Sequence, residues 1–104
     1  MRHYSATQLA EYLKHQQPFL LDVREPWEFA ICKLDDSQLV PMRQVPEYIQ
    51  ALDPHLEIVV ICHHGIRSKA ICQYLEQHGF DQLINLEGGV NAWAKQVDPG
   101  MAVY

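Results

Sequence analysis

The chain of 104 residues lacks the features that mark several large classes of protein. It contains no run of about 18 apolar residues, so no membrane-spanning helix is predicted. Its net charge is −5, whereas a nucleic-acid-binding protein needs a basic surface. The three cysteines show no paired spacing, so no disulfide framework is predicted. Residues 1–5 carry no apolar signal segment, and we therefore expect the protein in the cytoplasm.

Strand and helix patterns alternate along the chain. Ser5 and Gln8 form a capping-box pattern before a first helix, which we expect to end at Pro18. Uninterrupted apolar segments are typical of strands buried on both faces of a parallel sheet. Strands are predicted over residues 19–23, 38–42, 57–62 and 83–86, and helices from Pro26, from Pro46, over 67–78 and over 90–95. This alternation predicts one α/β domain over residues 1–104, with a mainly parallel sheet flanked by helices on both faces.

The segment that begins at Cys62 carries the clearest chemical signal. Cys62 directly follows the most apolar predicted strand, and a short loop containing Gly65 then leads into a helix. Backbone N–H groups and the helix N-terminus converge on one point in such a loop, and both favour a thiolate over a thiol. A thiolate is the nucleophilic form of cysteine. Cys62 is therefore predicted to be the catalytic nucleophile, and its substrate-binding loop is predicted to consist of His63, His64, Gly65, Ile66, Arg67 and Ser68.

The size of this loop distinguishes between the reactions that a cysteine nucleophile could catalyse. Four residues lie between Cys62 and Arg67, which is enough to enclose a single sulfur atom. Cysteine-dependent phosphatases use a loop one residue longer around a phosphoryl group, so a phosphatase or an arsenate reductase is an alternative that the spacing disfavours. No metal site is predicted, because adjacent side chains in a tight loop cannot converge on one ion and no CxxC or HxxxH partner exists.

Three separated motifs resemble the single-domain members of the rhodanese superfamily. They are the segment Leu21 to Phe29 (LDVREPWEF), the loop Cys62 to Ser68, and the segment Leu86 to Trp93 (LEGGVNAW). The motifs occur in the order and spacing of that family and together cover nearly the whole chain. The resemblance implies the family's fold, a small α/β domain with a parallel sheet wrapped by helices.

The resemblance also implies sulfur transfer that needs no cofactor. Cys62 would take the outer sulfur of a donor such as thiosulfate as a persulfide and pass it to cyanide, a thiol or another protein. The loop amides would stabilise this persulfide, Arg67 would brace the loop and favour anionic sulfur, and Asp22 and Arg24 would support the loop. A sulfur-carrier or protein-interaction module with little activity on small donors is an alternative that no feature of the sequence excludes.

The chain departs from the family pattern at residues 32–37, where Cys-Lys-Leu-Asp-Asp-Ser replaces the usual Gly-His-Ile-Pro-Gly-Ala. We expect a different backbone path there, which affects the rim of the site and the choice of donor. Cys32 lies in this segment, and a role as a resolving thiol for Cys62 is a hypothesis. His63 and His64 are expected to be exposed loop residues, and Trp27 is expected to be packed. Since thiosulfate is a dianion and the loop holds one permanent cation, weak thiosulfate binding is expected.

Overall fold

The computed structural model describes all 104 residues, and its strands form one parallel sheet. The strands are β1 (Arg2–Tyr4), β2 (Phe19–Asp22), β3 (Gln38–Leu39), β4 (Ile58–Ile61) and β5 (Leu83–Leu86). Their order across the sheet is β1-β5-β4-β2-β3, and every neighbouring pair is parallel. The predicted parallel sheet is therefore confirmed, and β4 lies at its centre.

Helices cover both faces of this sheet, as the alternating pattern predicts. They are α1 (Ala6–Tyr12), α2 (Pro26–Ile31), α3 (Val45–Tyr48), α4 (Ile66–Gln77) and α5 (Gly89–Gln96). Short 3₁₀ turns at Met42–Gln44 and Ile49–Ala51 flank α3. None of the helices combines the length and the apolar character that crossing a membrane would require.

Strand β4 contributes side chains to two separate hydrophobic clusters. Ile58 and Val60 belong to a cluster that includes residues of α3 and α4, whereas Val59 and Ile61 belong to a cluster that includes residues of α1 and α5. All four side chains are fully buried, which explains why this segment shows no alternation of polar and apolar residues. Because β4 is packed on both faces, the position of Cys62 directly after its last residue is fixed.

Three elements differ from the sequence prediction. The strand predicted over residues 38–42 is limited to Gln38–Leu39, because Pro41 has no N–H for a strand ladder and Met42 begins a 3₁₀ turn.

The other two differences concern α1 and β1. The predicted capping box is present, because Ser5 N–H donates to the Gln8 side chain at 2.9 Å and Gln8 N–H donates to Ser5 Oγ at 3.2 Å. However, α1 ends at Tyr12 and not at Pro18, because the backbone tightens into i→i+3 turns immediately after it. Strand β1 was not predicted, since three residues are too few to show a periodic pattern and pairing with β5 forms it.

The segment that departs from the family pattern contains a backbone conformation that glycine favours. Asp36 has a φ of +66° and is the only non-glycine residue with positive φ. It stands where the family pattern usually has its second glycine. Aspartate tolerates this left-handed conformation better than most residues do. The Ser37 hydroxyl and the Ser37 N–H both donate to the Leu34 carbonyl, at 2.7 and 3.3 Å, so residues 34–37 form a hydrogen-bonded turn.

Asp36→Gly is expected to raise the free energy of unfolding by about 0.5–1 kcal/mol, because glycine adopts positive φ without steric cost. Urea denaturation measures this change. Asp35→Gly is the matched control, since Asp35 has no positive φ, and it is expected to leave the stability unchanged or to lower it. An equal shift in both variants would contradict the presence of strain at Asp36.

Candidate active site

Cys62 lies at the carboxyl edge of the sheet, directly after β4 and between the neighbouring strands β2 and β5. Ligands bind at this edge in open α/β sheets. The residue is buried, with 1% of its surface exposed. Cys62 therefore lies near the residues at the carboxyl ends of β2 and β5, and it begins the loop that follows β4.

Two backbone amides point at the Cys62 sulfur. The Gly65 N–H donates to Sγ at 3.1 Å, and the Ser68 N–H donates to it at 3.3 Å. Ser68 lies in the first turn of α4, so its amide is one of the helix donors that have no partner within the helix. Gly65 has a φ of +92° and brings the loop around the sulfur. The structure thus brings two of the predicted loop residues to the Cys62 sulfur through their backbone.

The Cys62 loop also packs directly against the turn between β5 and α5. The Val90 N–H donates to the Cys62 carbonyl at 2.9 Å, and the Asn91 N–H donates to the His63 carbonyl at 3.1 Å. A Cβ atom on Gly89 would collide with both of these carbonyl oxygens. This contact explains the glycine at position 89 of the third motif. Because the loop carbonyls face α5, the loop amides remain available to the sulfur.

A chain of polar groups leads from the sulfur to β5. The Cys62 thiol donates to Ser68 Oγ at 3.3 Å, and the Ser68 hydroxyl donates to Asn85 Oδ1. The Asn85 amide nitrogen donates to the Gly65 carbonyl at 3.4 Å, so one buried side chain holds both Ser68 and the loop. Asn85 is not among the residues predicted from the sequence. A single polar residue inside the apolar strand Leu83–Leu86 was the signal that could have found it.

Arg67 binds a carboxylate that the sequence analysis also missed. Its two terminal nitrogens donate to the two oxygens of Glu28 at 2.7 and 2.8 Å. Glu28 lies in α2 with 3% of its surface exposed, and it also accepts from the Tyr104 hydroxyl at 2.8 Å. Arg67 therefore links the Cys62 loop to α2 through a bidentate ion pair. The two residues lie 39 positions apart in the sequence, so no local pattern revealed the contact.

Asp22 and Arg24 support a different segment from the one expected. They form a fully buried ion pair, with an Arg24 nitrogen 2.8 Å from an Asp22 oxygen. Arg24 also donates to the carbonyls of Cys32 at 2.7 Å and Glu28 at 3.3 Å. The pair therefore fixes α2 and the residue that follows it, and it supports the Cys62 loop only indirectly, through Glu28.

The rings around the loop correct two expectations. His63 is half-buried rather than exposed, because its ring stacks on Tyr104 with the centroids 3.9 Å apart. Burial and the neighbouring His64 lower the pKa of His63, which favours its neutral form. His64 itself is exposed, as expected. Trp27 is 61% exposed, and among the aromatic rings it contacts only Tyr104, in a T-shaped arrangement, because α2 turns Glu28 rather than Trp27 to the interior.

The other two cysteines lie in different surroundings. Cys32 belongs to the hydrophobic cluster on the opposite face of the sheet from the cluster that contains Cys62, which argues against a role as resolving thiol. Cys72 is fully buried in α4, and burial raises the pKa of its thiol to about 12. Only the Cys62 sulfur accepts backbone N–H groups.

The ion pair of Glu28 makes the stability of the fold sensitive to acid. Hydrogen bonds from Arg67 lower the pKa of Glu28 from 4.5 to about 2. A carboxyl with a lowered pKa in the folded state stabilises the protein above its unfolded pKa and loses this effect as the pH falls through the folded value. We expect Glu28 to account for a loss of about 2–3 kcal/mol in the free energy of unfolding between about pH 5 and about pH 2.

Glu28→Gln is expected to remove this component and to flatten the pH dependence, which denaturant titrations at a series of pH values measure. Glu47→Gln is the matched control, because Glu47 is an exposed glutamate of α3 and the dependence should keep its slope. A Glu28→Gln protein whose stability falls as steeply as that of the wild type would contradict this assignment.

Comparisons with known proteins agree with this architecture. The chain matches the sequence model of the rhodanese-like domain over residues 5–96. A sulfurtransferase of Allochromatium vinosum is 35% identical over 83 residues, which are 80% of this chain and 78% of that protein. The thiosulfate sulfurtransferase GlpE of Pseudomonas fluorescens is 31% identical over 84 residues, which are 81% of this chain and 77% of that protein. The crystal structure of a rhodanese-like domain protein from Staphylococcus aureus superposes with a TM-score of 0.83 at 28% identity, covering 100% of this chain and 99% of the other. The chain belongs to the rhodanese-like domain family.

Proposed function

We propose that residues 1–104 act as one rhodanese-like unit that transfers sulfane sulfur through a persulfide on Cys62. Relatives named as sulfurtransferases support a role in transferring or carrying sulfur. The observation that carries the finer proposal is the pair of amides, from Gly65 and Ser68, on the Cys62 sulfur. Amides fixed in this way stabilise negative charge on sulfur without any rearrangement during the reaction. All three cysteines are free, and we place the reaction in the cytoplasm, where thiols stay reduced.

The reaction consists of two displacements at sulfur. The Cys62 thiolate attacks the outer sulfur of the donor, a new S–S bond forms, and the S–S bond of the donor breaks. With thiosulfate as donor, sulfite leaves with the bonding electron pair. A thiolate or cyanide then attacks the outer sulfur of the Cys62 persulfide, takes it, and releases the Cys62 thiolate. This sequence is covalent catalysis of the ping-pong type, and all the electrons come from donor and acceptor.

The burial of Cys62 limits what can react there. Only 1% of the residue is exposed, and a loop of four residues separates it from Arg67. A terminal sulfur atom that approaches end-on fits such a loop better than a phosphoryl group does. The geometry of Arg67 supports the same preference. A phosphatase needs the guanidinium for the phosphoryl oxygens, whereas here both of its terminal nitrogens are bound to Glu28.

The test is mass spectrometry of the protein after incubation with thiosulfate. We expect a gain of one sulfur atom on the peptide that contains Cys62, and the loss of that sulfur as thiocyanate when cyanide is added. Cys62→Ser should abolish both signals, because serine cannot form a persulfide. Cys72→Ala is the matched control, since it removes a buried thiol that no loop amide contacts, and it should keep both signals.

Two outcomes would contradict the proposal. A sulfur gain that persists in Cys62→Ser would place the reactive thiol elsewhere. Release of phosphate from an aryl phosphate, without any thiocyanate from thiosulfate and cyanide, would favour the phosphatase alternative. Persulfide formation with little turnover to small acceptors would support the carrier alternative, in which a protein partner receives the sulfur.

A further inference from the structure

We infer that Asn85 is a positioning residue for the reaction of Cys62, because it turns the Ser68 hydroxyl so that oxygen lone pairs, and not the hydrogen, face the sulfur. The hydroxyl then opposes the two backbone amides and keeps the Cys62 thiolate basic and strongly nucleophilic. This role rests on the proposed function, since it concerns the rates at which Cys62 takes up sulfur and gives it away.

The orientation of the Asn85 side chain follows from its neighbours. One of its two polar atoms lies 3.4 Å from the Gly65 carbonyl oxygen. That carbonyl can only accept a hydrogen bond, so the Asn85 atom that faces it is the amide nitrogen, which donates. The other polar atom, Oδ1, then faces the Ser68 hydroxyl at 2.5 Å. His3 Nδ1 lies 3.5 Å from the amide nitrogen and can accept from it, so this neighbour fits the same orientation.

This orientation determines where the Ser68 hydroxyl hydrogen points. A carboxamide oxygen has no hydrogen, so Ser68 donates its only hydroxyl hydrogen to Asn85. Lone pairs of the hydroxyl oxygen therefore face the Cys62 sulfur, 3.3 Å away. A thiol can donate to them, whereas a thiolate has no hydrogen to donate and meets the negative end of the hydroxyl dipole. The hydroxyl thus favours the thiol, while the N–H groups of Gly65 and Ser68 favour the thiolate.

The fold holds this arrangement in place. Asn85 is paired with Val60 of β4 on one side and with His3 of β1 on the other, and only 2% of its surface is exposed. Ser68 is fully buried in the first turn of α4. If the hydroxyl turned its hydrogen to the sulfur, Oδ1 of Asn85 would lose its donor in the protein interior, which is costly.

The direction of this hydroxyl affects the two displacements in opposite ways. A more basic thiolate is a better nucleophile, although the rate rises less steeply than the basicity, and it is also a poorer leaving group. Cys62 attacks in the first displacement and leaves in the second. Asn85 therefore speeds the loading of sulfur onto the thiolate and slows its release. A residue that only supported the fold would change both steps in the same direction.

Other titratable and charged groups surround the sulfur, and the comparison must keep them unchanged. They are Arg67 with its partner Glu28, the loop residues His63 and His64, Cys72 of α4, and, beyond Asn85, His3 with Glu87 3.6 Å away. None of these groups forms a hydrogen bond with the Ser68 hydroxyl. Uncharged substitutions at Ser68 and Asn85 therefore test the hydroxyl at constant charge.

The experiment follows the two half-reactions separately by mass spectrometry of quenched samples. Loading by thiosulfate is measured from about pH 5 to about pH 10, which gives the maximal rate and the pH of half-maximal rate. Release to cyanide is measured at one fixed pH. Ser68→Ala removes the hydroxyl and keeps both amides, so the pH of half-maximal loading should fall by about half a unit. Ser37→Ala is the matched control, because its hydroxyl contacts only the Leu34 carbonyl, and it should leave this pH unchanged.

A second variant, Asn85→Val, removes the acceptor and frees the Ser68 hydroxyl to donate to the sulfur. The pH of half-maximal loading should fall by about one unit and the maximal loading rate by about threefold, whereas release to cyanide should become faster. When both substitutions are combined, no hydroxyl remains, and this pH should match that of Ser68→Ala within about 0.3 unit. Urea denaturation shows whether each variant is folded.

The outcomes separate this role of Asn85 from the proposed function. A higher pH of half-maximal loading in Ser68→Ala would mean that the hydroxyl donates to the thiolate, and the inference would be wrong while the persulfide mechanism stands. It would also be wrong if Asn85→Val slowed both half-reactions, or if its effect persisted without the Ser68 hydroxyl. Ser68→Ala decides the sign even if Asn85→Val does not fold. If the wild type gains no sulfur on Cys62, the proposed function itself fails.

Discussion

The Cys62 loop depends on a contact between two stretches of backbone that leaves no room for a side chain. Gly89 lies so close to the carbonyl oxygen of Cys62 that a Cβ would collide with it. On the other side of the same contact, a Cβ on Gly65 would lie 3.0 Å from a backbone nitrogen of the β5–α5 turn. Because α5 amides bind the loop carbonyls, the amides of Gly65 and Ser68 are left to the sulfur. The environment of the sulfur is therefore built by backbone groups and closely packed glycines.

The charged side chains near the site have a different task, which is to hold the surrounding segments in place. The Tyr104 hydroxyl accepts from Arg24 at 2.9 Å and donates to Glu28 at 2.8 Å, so it links the two ion pairs of Arg24 and Arg67. Removing one member of a buried pair costs about 3–5 kcal/mol, because the partner charge is left unpaired in the interior. Arg24 is fully buried and its nitrogens are bound within the protein, so it stabilises the fold and does not contact the Cys62 sulfur, whereas the amides of Gly65 and Ser68 do.

Local signals in the sequence predicted the elements that position Cys62. The apolar segment that ends at Ile61 is buried on both faces, and this burial is the reason that its pattern predicts a central strand. The short loop with Gly65 predicted backbone donors next to Cys62, because the geometry of a loop between strand and helix depends on its length and its glycine. The capping box at Ser5 was predictable for the same reason, since all of its atoms lie within one turn of helix.

Contacts between distant segments were not predictable in this way. The sequence places Arg67 near Cys62 but does not say where its long side chain ends. A guanidinium with five donors binds most strongly where it meets a carboxylate in bidentate geometry, and a buried carboxylate is available at Glu28. The link from Ser68 to Asn85 spans 17 positions and depends likewise on the pairing of β4 with β5. The sequence of the Cys62 loop therefore determines its backbone, whereas the partners of its polar side chains depend on elements that the fold brings from elsewhere in the chain.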